Sequence, residues 1–404
     1  PESLTGDAAT AYGDFAAEGG VVMPWDGTLD DEASLLVDAL LGSGLERDVS
    51  GEFAKAVMAM NSHRARVMAL DIPTGVHGDT GRVMGTAVAA DVTVTFVGLK
   101  TGLFAGEGAE LCGTIVFDGL GVPEHCRPHD KAMSRRISSG VLRRCLKRRP
   151  RSAHKGDFGQ VLVVGGGEGM PGAVRLAGEA ALRTGAGLVS IATHPSHATV
   201  IVGSRPELMS HGIEDAEALG PLLERATAIA FGPGLGTSDW SRQLYAAVSQ
   251  LELPCVWDAD ALNLLAEAPA KSERRIITPH PGEAGRLIGE GTAAVQDDRR
   301  AALDALQDKY GGVVVLKGSN TLVTSKKKVP WLCTAGNPGM ASPGMGDVLT
   351  GIIVALLAQR LGKEASAVVG VEAHARAGDR AARAGERGTI ASDLLAELRS
   401  VVNP

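Results

Sequence analysis

A chain of 404 residues with 44% apolar residues, 53 glycines and only 3% aromatics has the length for two cores and the small-residue texture of α/β layers joined by tight turns. Its formal net charge of −7 argues against a general affinity for polyanions, so no nucleic acid partner is expected. Cys112, Cys126, Cys145, Cys255 and Cys333 show no Cys-x-x-Cys or zinc spacing, and no signal segment or apolar run of membrane-spanning length is present, so a cytoplasmic protein with no membrane partner is expected.

The chain starts at Pro1 without an initiator methionine, as a fragment or a processed form would. Pro1 to Gly20 is Ala/Gly-rich and weakly helical. Leu35 to Leu41 reads as a buried strand carrying Asp38, followed by Gly42-Ser43-Gly44, whose backbone N–H groups suit an anion or simply a turn. Phe53, Val57 and Met60 give a helical stripe, and Arg66 to Leu70 gives a second strand running into Asp71-Ile72-Pro73-Thr74-Gly75. Two successive strands with an acid at the carboxyl end place both acids on one edge of a parallel sheet, the edge where α/β sheets bind ligands. Asp91 to Gly98 alternates as a strand before Lys100-Thr-Gly-Leu, and Thr114 to Phe117 reads as another.

Asp38, the Gly42 to Gly44 loop, Asp71 and Thr74 resemble the second half of the NAD(P)H-hydrate epimerase domain. The resemblance implies that Asp38 and Thr74 help to hold K+, and that Gly42, Ser43, Gly44 and Asp71 serve the substrate, with Asp71 in proton transfer. That family opens with a strand, a helix and an Asn-Asn-Gly-Gly-Asp loop, and no such stretch precedes Asp38. Residues 1–130 are therefore expected to be a partial Rossmann-like α/β domain lacking its first segment, without full epimerase activity.

Residues 131–151 are rich in Lys and Arg. With no aromatic residues interleaved for base stacking, they read as a solvated helix, buried along Ile137, Val141 and Cys145, and a linker ending at Pro150, rather than a nucleic acid patch.

From residue 152 onward the pattern is strand, polar or glycine-rich loop, helix, repeated. Strand Gln160 to Val164 leads into Gly165 to Ala173, which contains the literal Gly-x-Gly-x-x-Gly spacing at Gly167, Gly169 and Gly172. A dinucleotide-binding Rossmann fold is the first candidate, but the next strand, Leu188 to Ala192, ends in Thr193-His194 where that fold places an acid for the ribose. Ala228 to Phe231 meets Gly232-Pro-Gly-Leu-Gly236, and Cys255 to Trp257 meets Asp258-Ala-Asp-Ala-Leu-Asn263. Ile276-Ile277 meets Thr278-Pro-His280-Pro-Gly-Glu283, and Val313 to Leu316 meets Lys317-Gly318-Ser319-Asn320-Thr321. Singly these are turns, caps and surface charges; gathered on one sheet edge they become a site. Lys317 with its following loop offers a cation, backbone N–H groups and a hydroxyl to phosphate. Last comes Asn337 to Gln359, in which glycines and prolines lead to Asp347 and a helix-spaced apolar run. Asp347 is then either a plain N-cap or an acid facing a proton-bearing group beside an anion-binding helix start.

The ordered set Lys155-Gly-Asp, Gly165 to Ala173, Gly232 to Gly236, Asp258 to Asn263, Thr278 to Glu283, Leu316-Lys-Gly and Gly344-Met-Gly-Asp347 resembles ADP-dependent (S)-NAD(P)H-hydrate dehydratase over residues 140–404. The resemblance implies a ribokinase-like three-layer α/β/α sandwich for residues 152–404. It also implies repair of NADH or NADPH hydrate with ADP or ATP and Mg2+, releasing AMP and phosphate when ADP is used. Carried over, Asp347 is the catalytic base; Ala173, Gly234, His280 and Asp347 touch the hydrate; Lys317, Gly318, Ser319, Asn320, Thr321 and Gly346 hold ADP; and Glu283 reaches Mg2+ through water. A homo-oligomer is expected by the same route. The alternative is a ribokinase-like small-molecule kinase for a vitamin or sugar, which shares the Gly-Asp loop.

Overall fold

The computed structural model describes residues 4–126, 132–326 and 328–404, which form two sheets. In the first, strands β1 (Leu35–Asp38), β2 (Arg66–Leu70), β3 (Val92–Phe96) and β4 (Thr114–Asp118) lie parallel in the order β1-β2-β3-β4. Helix Gly51–Ser62 crosses from β1 to β2 and buries Val57 and Met60 against Val67 and Ala69. Strand β1 stops at Asp38, short of the expected Leu41, and there the Asp38 carboxylate accepts the backbone N–H groups of Leu40 and Thr74. Nor is β1 a buried strand: it lies at the sheet edge, with Leu35 51% and Val37 49% exposed.

The second sheet has ten strands: β5 (Arg135–Arg136), β6 (Gln160–Val164), β7 (Leu188–Thr193), β8 (Met209–Gly212), β9 (Ala228–Phe231), β10 (Cys255–Trp257), β11 (Arg275–Ile277), β12 (Val313–Leu316), β13 (Leu322–Ser325) and β14 (Trp331–Leu332). Their spatial order is β5-β14-β13-β12-β11-β10-β9-β6-β7-β8, and only β13 pairs antiparallel with its neighbours. Strands β9 and β12 are buried throughout because helices cover both faces. Alternate residues point to opposite layers: Val161 and Val163 join one core, Leu162 and Val164 the other. The first core is completed by helices Pro171–Thr184, Met345–Ala358, Lys363–Ala381 and Ala391–Val401; the second by Asp239–Ser249, Asp260–Glu267, Pro281–Ile288 and Arg299–Tyr310. The three layers match the expected sandwich.

The stretch expected as a basic helix and linker departs from that reading. Arg135 and Arg136 extend the sheet by pairing with Trp331 and Leu332, and the helix spans only Gly140–Cys145. Its charges are used locally. Arg135 lies over Trp331 and Arg136 over Phe104, while Arg149 stacks 3.5 Å from the Phe158 ring centre and donates to Gln359 Oε1 at 2.9 Å. Two of the aromatic partners, Phe104 and Trp331, come from distant sequence, which a local reading of the junction could not supply.

Helix Met345–Ala358 is the axis of the larger unit. Every residue from Val348 to Ala358 is buried, so it is enclosed all round rather than along one stripe. Its closest approach is to helix Pro171–Thr184: a Cβ at Gly351 would overlap the Ala177 carbonyl oxygen, and Ala180 Cβ is also close. Gly351→Ala is expected to force these helices apart and cost about 2 kcal/mol, read as a lowered urea midpoint with an unchanged slope.

Candidate active site

The carboxyl ends of β6, β9, β10, β11 and β12 converge on one edge, and the start of helix Met345–Ala358 lies against them. Gly344, at φ +86, precedes that helix and occupies its N-cap position without a side-chain cap. Asp347 is thus the third helical residue, not the cap, and its carboxylate is free for chemistry while the unpaired N–H groups of the first turn face the same edge.

Asp258, at the end of β10, is 1% exposed; it accepts from Lys317 Nζ at 2.6 Å and from Thr350 Oγ1 at 2.8 Å. Burial opposes the charge on each partner, but the pair prevails: Lys317 holds Asp258 below the usual carboxylate range, and Asp258 with Glu283 holds Lys317 above the usual lysine value. Asp347 has the opposite fate. Burial first, and then the neighbouring Asp258 carboxylate, push its pKa up to about 7, against the pull of Lys317. A carboxyl group poised near neutrality at a helix start is suited to taking a proton.

Gly346 belongs to this cluster, since a Cβ there would lie 3.3 Å from Lys317 Nζ and 3.5 Å from Asp258 Oδ2. The free cation expected of Lys317 is not what the fold presents: its ammonium is committed to Asp258, with Glu283 Oε2 at 3.7 Å. The loop beyond it turns through Gly318 at φ +137 and Asn320 at φ +61, with Thr321 Oγ1 donating to the Gly318 carbonyl. Arg299 supports this turn from beneath by donating to the Leu316 and Lys317 carbonyls.

His280 caps helix Pro281–Ile288. Its Nδ1 accepts from Gly282 N at 3.0 Å and Glu283 N at 3.3 Å, and Glu283 Oε2 accepts from His280 N at 2.8 Å. Burial lowers the His280 pKa, so the neutral ring presents an N–H at Nε2. Gly234 and Ala173 meet across the two glycine loops: a Cβ at Gly234 would sit 3.0 Å from Ala173 Cβ, and Gly167 N donates to Gly234 O at 2.7 Å. Among the described residues no group of three or more His, Cys, Asp and Glu side chains gathers as a metal site.

In the smaller unit Asp38 Oδ2 accepts from Thr74 N and Oδ1 from Thr74 Oγ1, both at 2.7 Å, and Thr74 Oγ1 lies 3.3 Å from the Leu41 carbonyl. Asp71, at φ +71, is paired with Lys100, whose ammonium also donates to Thr95 Oγ1 and Phe96 O. Gly42 and Gly44 lack positive φ, and a Cβ at either would meet open space, so nothing in the structure requires glycine there.

Three contributors are not singled out by sequence reasoning: Thr350 and Lys100, and Asp258 as a charge partner. The Asp258-Ala-Asp260 motif after a strand is the available signal for Asp258. The other two depend on contacts 92 and 29 residues away in sequence.

The family described as NAD(P)H-hydrate dehydratase matches residues 161–400, and the family described as YjeF-related protein N-terminus matches residues 1–102. The bifunctional NAD(P)H-hydrate repair enzyme of Coxiella burnetii is 47% identical over 402 residues, 99% of this chain and 82% of the relative; that of Escherichia coli K12 is 42% identical, over 99% and 78%. Among solved structures, the ADP/ATP-dependent NAD(P)H-hydrate dehydratase from Bacillus subtilis co-crystallized with ATP/Mg2+ aligns with a TM-score of 0.62 and 29% identity, covering 67% of this chain and 98% of its own. A ribokinase-like superfamily protein from Enterococcus faecalis aligns with a TM-score of 0.63 and 28% identity, covering 67% and 96%.

A raised carboxyl pKa destabilises the folded protein once pH exceeds the unfolded value, because the native site must then either keep the proton or bury the charge. For Asp347 this cost grows between about pH 4 and 7. Asp347→Asn is therefore expected to raise stability, with a larger gain at about pH 8 than at about pH 5 in paired urea melts.

Proposed function

This chain belongs to the NAD(P)H-hydrate dehydratase family, and on that premise we propose that residues 152–404 remove water from (S)-NADH or (S)-NADPH hydrate, driven by ADP or ATP. The observation that carries this reading is Asp347: a carboxyl raised to about 7, at a helix start, beside the buried Lys317–Asp258 pair.

Hydroxide leaves a carbon poorly and phosphate leaves well. Asp347 takes the proton of the hydrate hydroxyl, and that oxygen attacks the terminal phosphorus of ADP as the bond to AMP breaks. Loss of phosphate from the ring carbon, with a proton from the neighbouring carbon, restores the double bond of NAD(P)H. The backbone N–H groups at Gly346 and the first turn face the charge that develops on the transferring group. Ala173, Gly234 and the Nε2–H of His280 position the hydrate, while Gly318, Ser319, Asn320 and Thr321 hold the nucleotide. Lys317 acts mainly by fixing Asp258, and only secondarily as a phosphate ligand. Glu283, whose Oε2 accepts from His280 N, would hold Mg2+ through water, and the ion would neutralise charge on the nucleotide phosphates.

In the smaller unit Asp38, Thr74 and the Leu41 carbonyl present oxygens suited to K+, and Asp71 with Lys100 is the proton-handling pair of an epimerase-like site. The same reading places the protein in a reducing cytoplasm as an assembly of identical chains; all five cysteines are free, and among the described residues no helix is long and apolar enough to cross a membrane.

With NADH hydrate and ADP, the near-ultraviolet absorbance of the reduced nicotinamide is expected to recover, with no recovery when nucleotide is omitted. Asp347→Asn is expected to lower kcat by about 10³-fold or more while ADP binding measured calorimetrically persists. A base must be deprotonated to act, so the wild-type kcat/KM is expected to fall about tenfold per pH unit below about 7. Phosphorylation of a vitamin or sugar without NADH recovery would sink the reading.

A further inference from the structure

A cavity of about 630 Å³ lies at the amino edge of the larger sheet, opposite the candidate active site. Pro254 and Arg274 line it from just before β10 and β11, Leu357 from the last turn of helix Met345–Ala358, and Arg360, Leu361 and Lys363 from the turn that leads into helix Lys363–Ala381. About 16 Å of helix separates Asp347 from Ala358, so the cavity is no extension of the active edge. We propose that it is a second anion site, which takes a small organic monophosphate with its phosphoryl group at Arg360, Arg274 and Lys363 and its apolar body on Pro254, Leu357 and Leu361.

Three cations line the cavity and, among the described residues, no Asp or Glu does. Two of them have partners already. Arg274 donates to the Glu252 carbonyl at 2.9 Å and pairs with the Glu252 carboxylate at 2.6 Å, while Lys363 Nζ donates to the Glu273 carbonyl. The Glu273 carboxylate pairs with Lys326 instead. Both cations keep further N–H groups for another acceptor. Arg360 differs, because among the described residues its guanidinium has neither a hydrogen-bond nor an ion-pair partner.

Arg360 also holds a position that favours glycine. Helix Met345–Ala358 closes with Arg360 N bonded to Leu357 O at 3.0 Å and Leu361 N bonded to Leu356 O at 3.1 Å, and Arg360 has φ +67. The left-handed residue at such a helix end is usually glycine. An arginine kept there against its backbone preference, at the rim of a cavity and without an internal partner, is available to a ligand. Cavity size and the apolar wall set the class of that ligand. Inorganic phosphate fills little of a space that lies in the range of small-molecule pockets, and the cavity-facing surface of Pro254, Leu357 and Leu361 stays wet unless the ligand brings an apolar body. The clustered cations match a doubly charged phosphoryl group.

The test is calorimetric titration of the full chain, at low ionic strength, with phenyl phosphate, inorganic phosphate and benzyl alcohol. Phenyl phosphate is expected to bind saturably with a Kd of about 1 mM or below, inorganic phosphate about tenfold or more weakly, and the uncharged alcohol not measurably. Arg360→Gly removes the cation and relieves the positive φ, so it is expected to weaken phenyl phosphate binding about tenfold while the urea midpoint holds or rises. Lys363→Met is expected to weaken binding by a similar factor. No saturable binding to the wild type overturns the inference, and so does equal affinity in Arg360→Gly, which would locate the ligand elsewhere. The readout needs no hydrate, so it stands apart from the reaction at Asp347.

Discussion

The buried pair of Lys317 and Asp258 is the constraint around which the active edge is arranged. It joins the ends of β12 and β10, two strands separated by β11, and Thr350 ties it to the central helix. Breaking either partner would leave a desolvated charge inside a dry site, a loss of about 3–5 kcal/mol in comparable cases. By committing the lysine to Asp258, the fold leaves Asp347 with too little positive charge nearby to offset its burial. The resulting pKa near neutrality follows from this competition and not from Asp347 alone.

The central helix supplies the second half of the arrangement. A helix apolar on all sides can sit only inside the protein, and the absence of a side chain at Gly351 lets it pack against helix Pro171–Thr184. Its amino end is thereby held at the strand edge, where unpaired N–H groups and the helix dipole favour an anion. Stability is spent at Asp347 and recovered along the helix behind it, a pattern common where sites hold strained or charged groups.

Along the edge, substrate and nucleotide have separate territories. The loop after β12 rests on Arg299, whose guanidinium is buried and pushed down to about 10 by that burial, while the glycine loops after β6 and β9 interlock through Gly167 and Gly234. One stretch is clamped by a cation and the other by backbone contacts too close for side chains. Each of these loops is positioned by a strand rather than by its own sequence.

Much of the fold and of the site is legible in the order of the residues. Six strands of the larger sheet, their terminal loops and the acid at the final helix follow from short β-branched runs punctuated by glycine, proline and aspartate, because these depend on local backbone preference and period. The family resemblance rests on the order of those loops. The strands β5, β13 and β14 and the edge strand β8 are not legible in this way, since none is an apolar run closed by a glycine, proline or aspartate loop and each forms when a neighbour offers its ladder. The sequence alone determined which residues stand at the sheet edge and that Asp347 begins a helix. Only the tertiary structure decided that His280 is also a cap, that Lys317 belongs to Asp258, and that Asp347 titrates near neutrality, because burial and charge pairing are properties of neighbours brought together from distant parts of the chain.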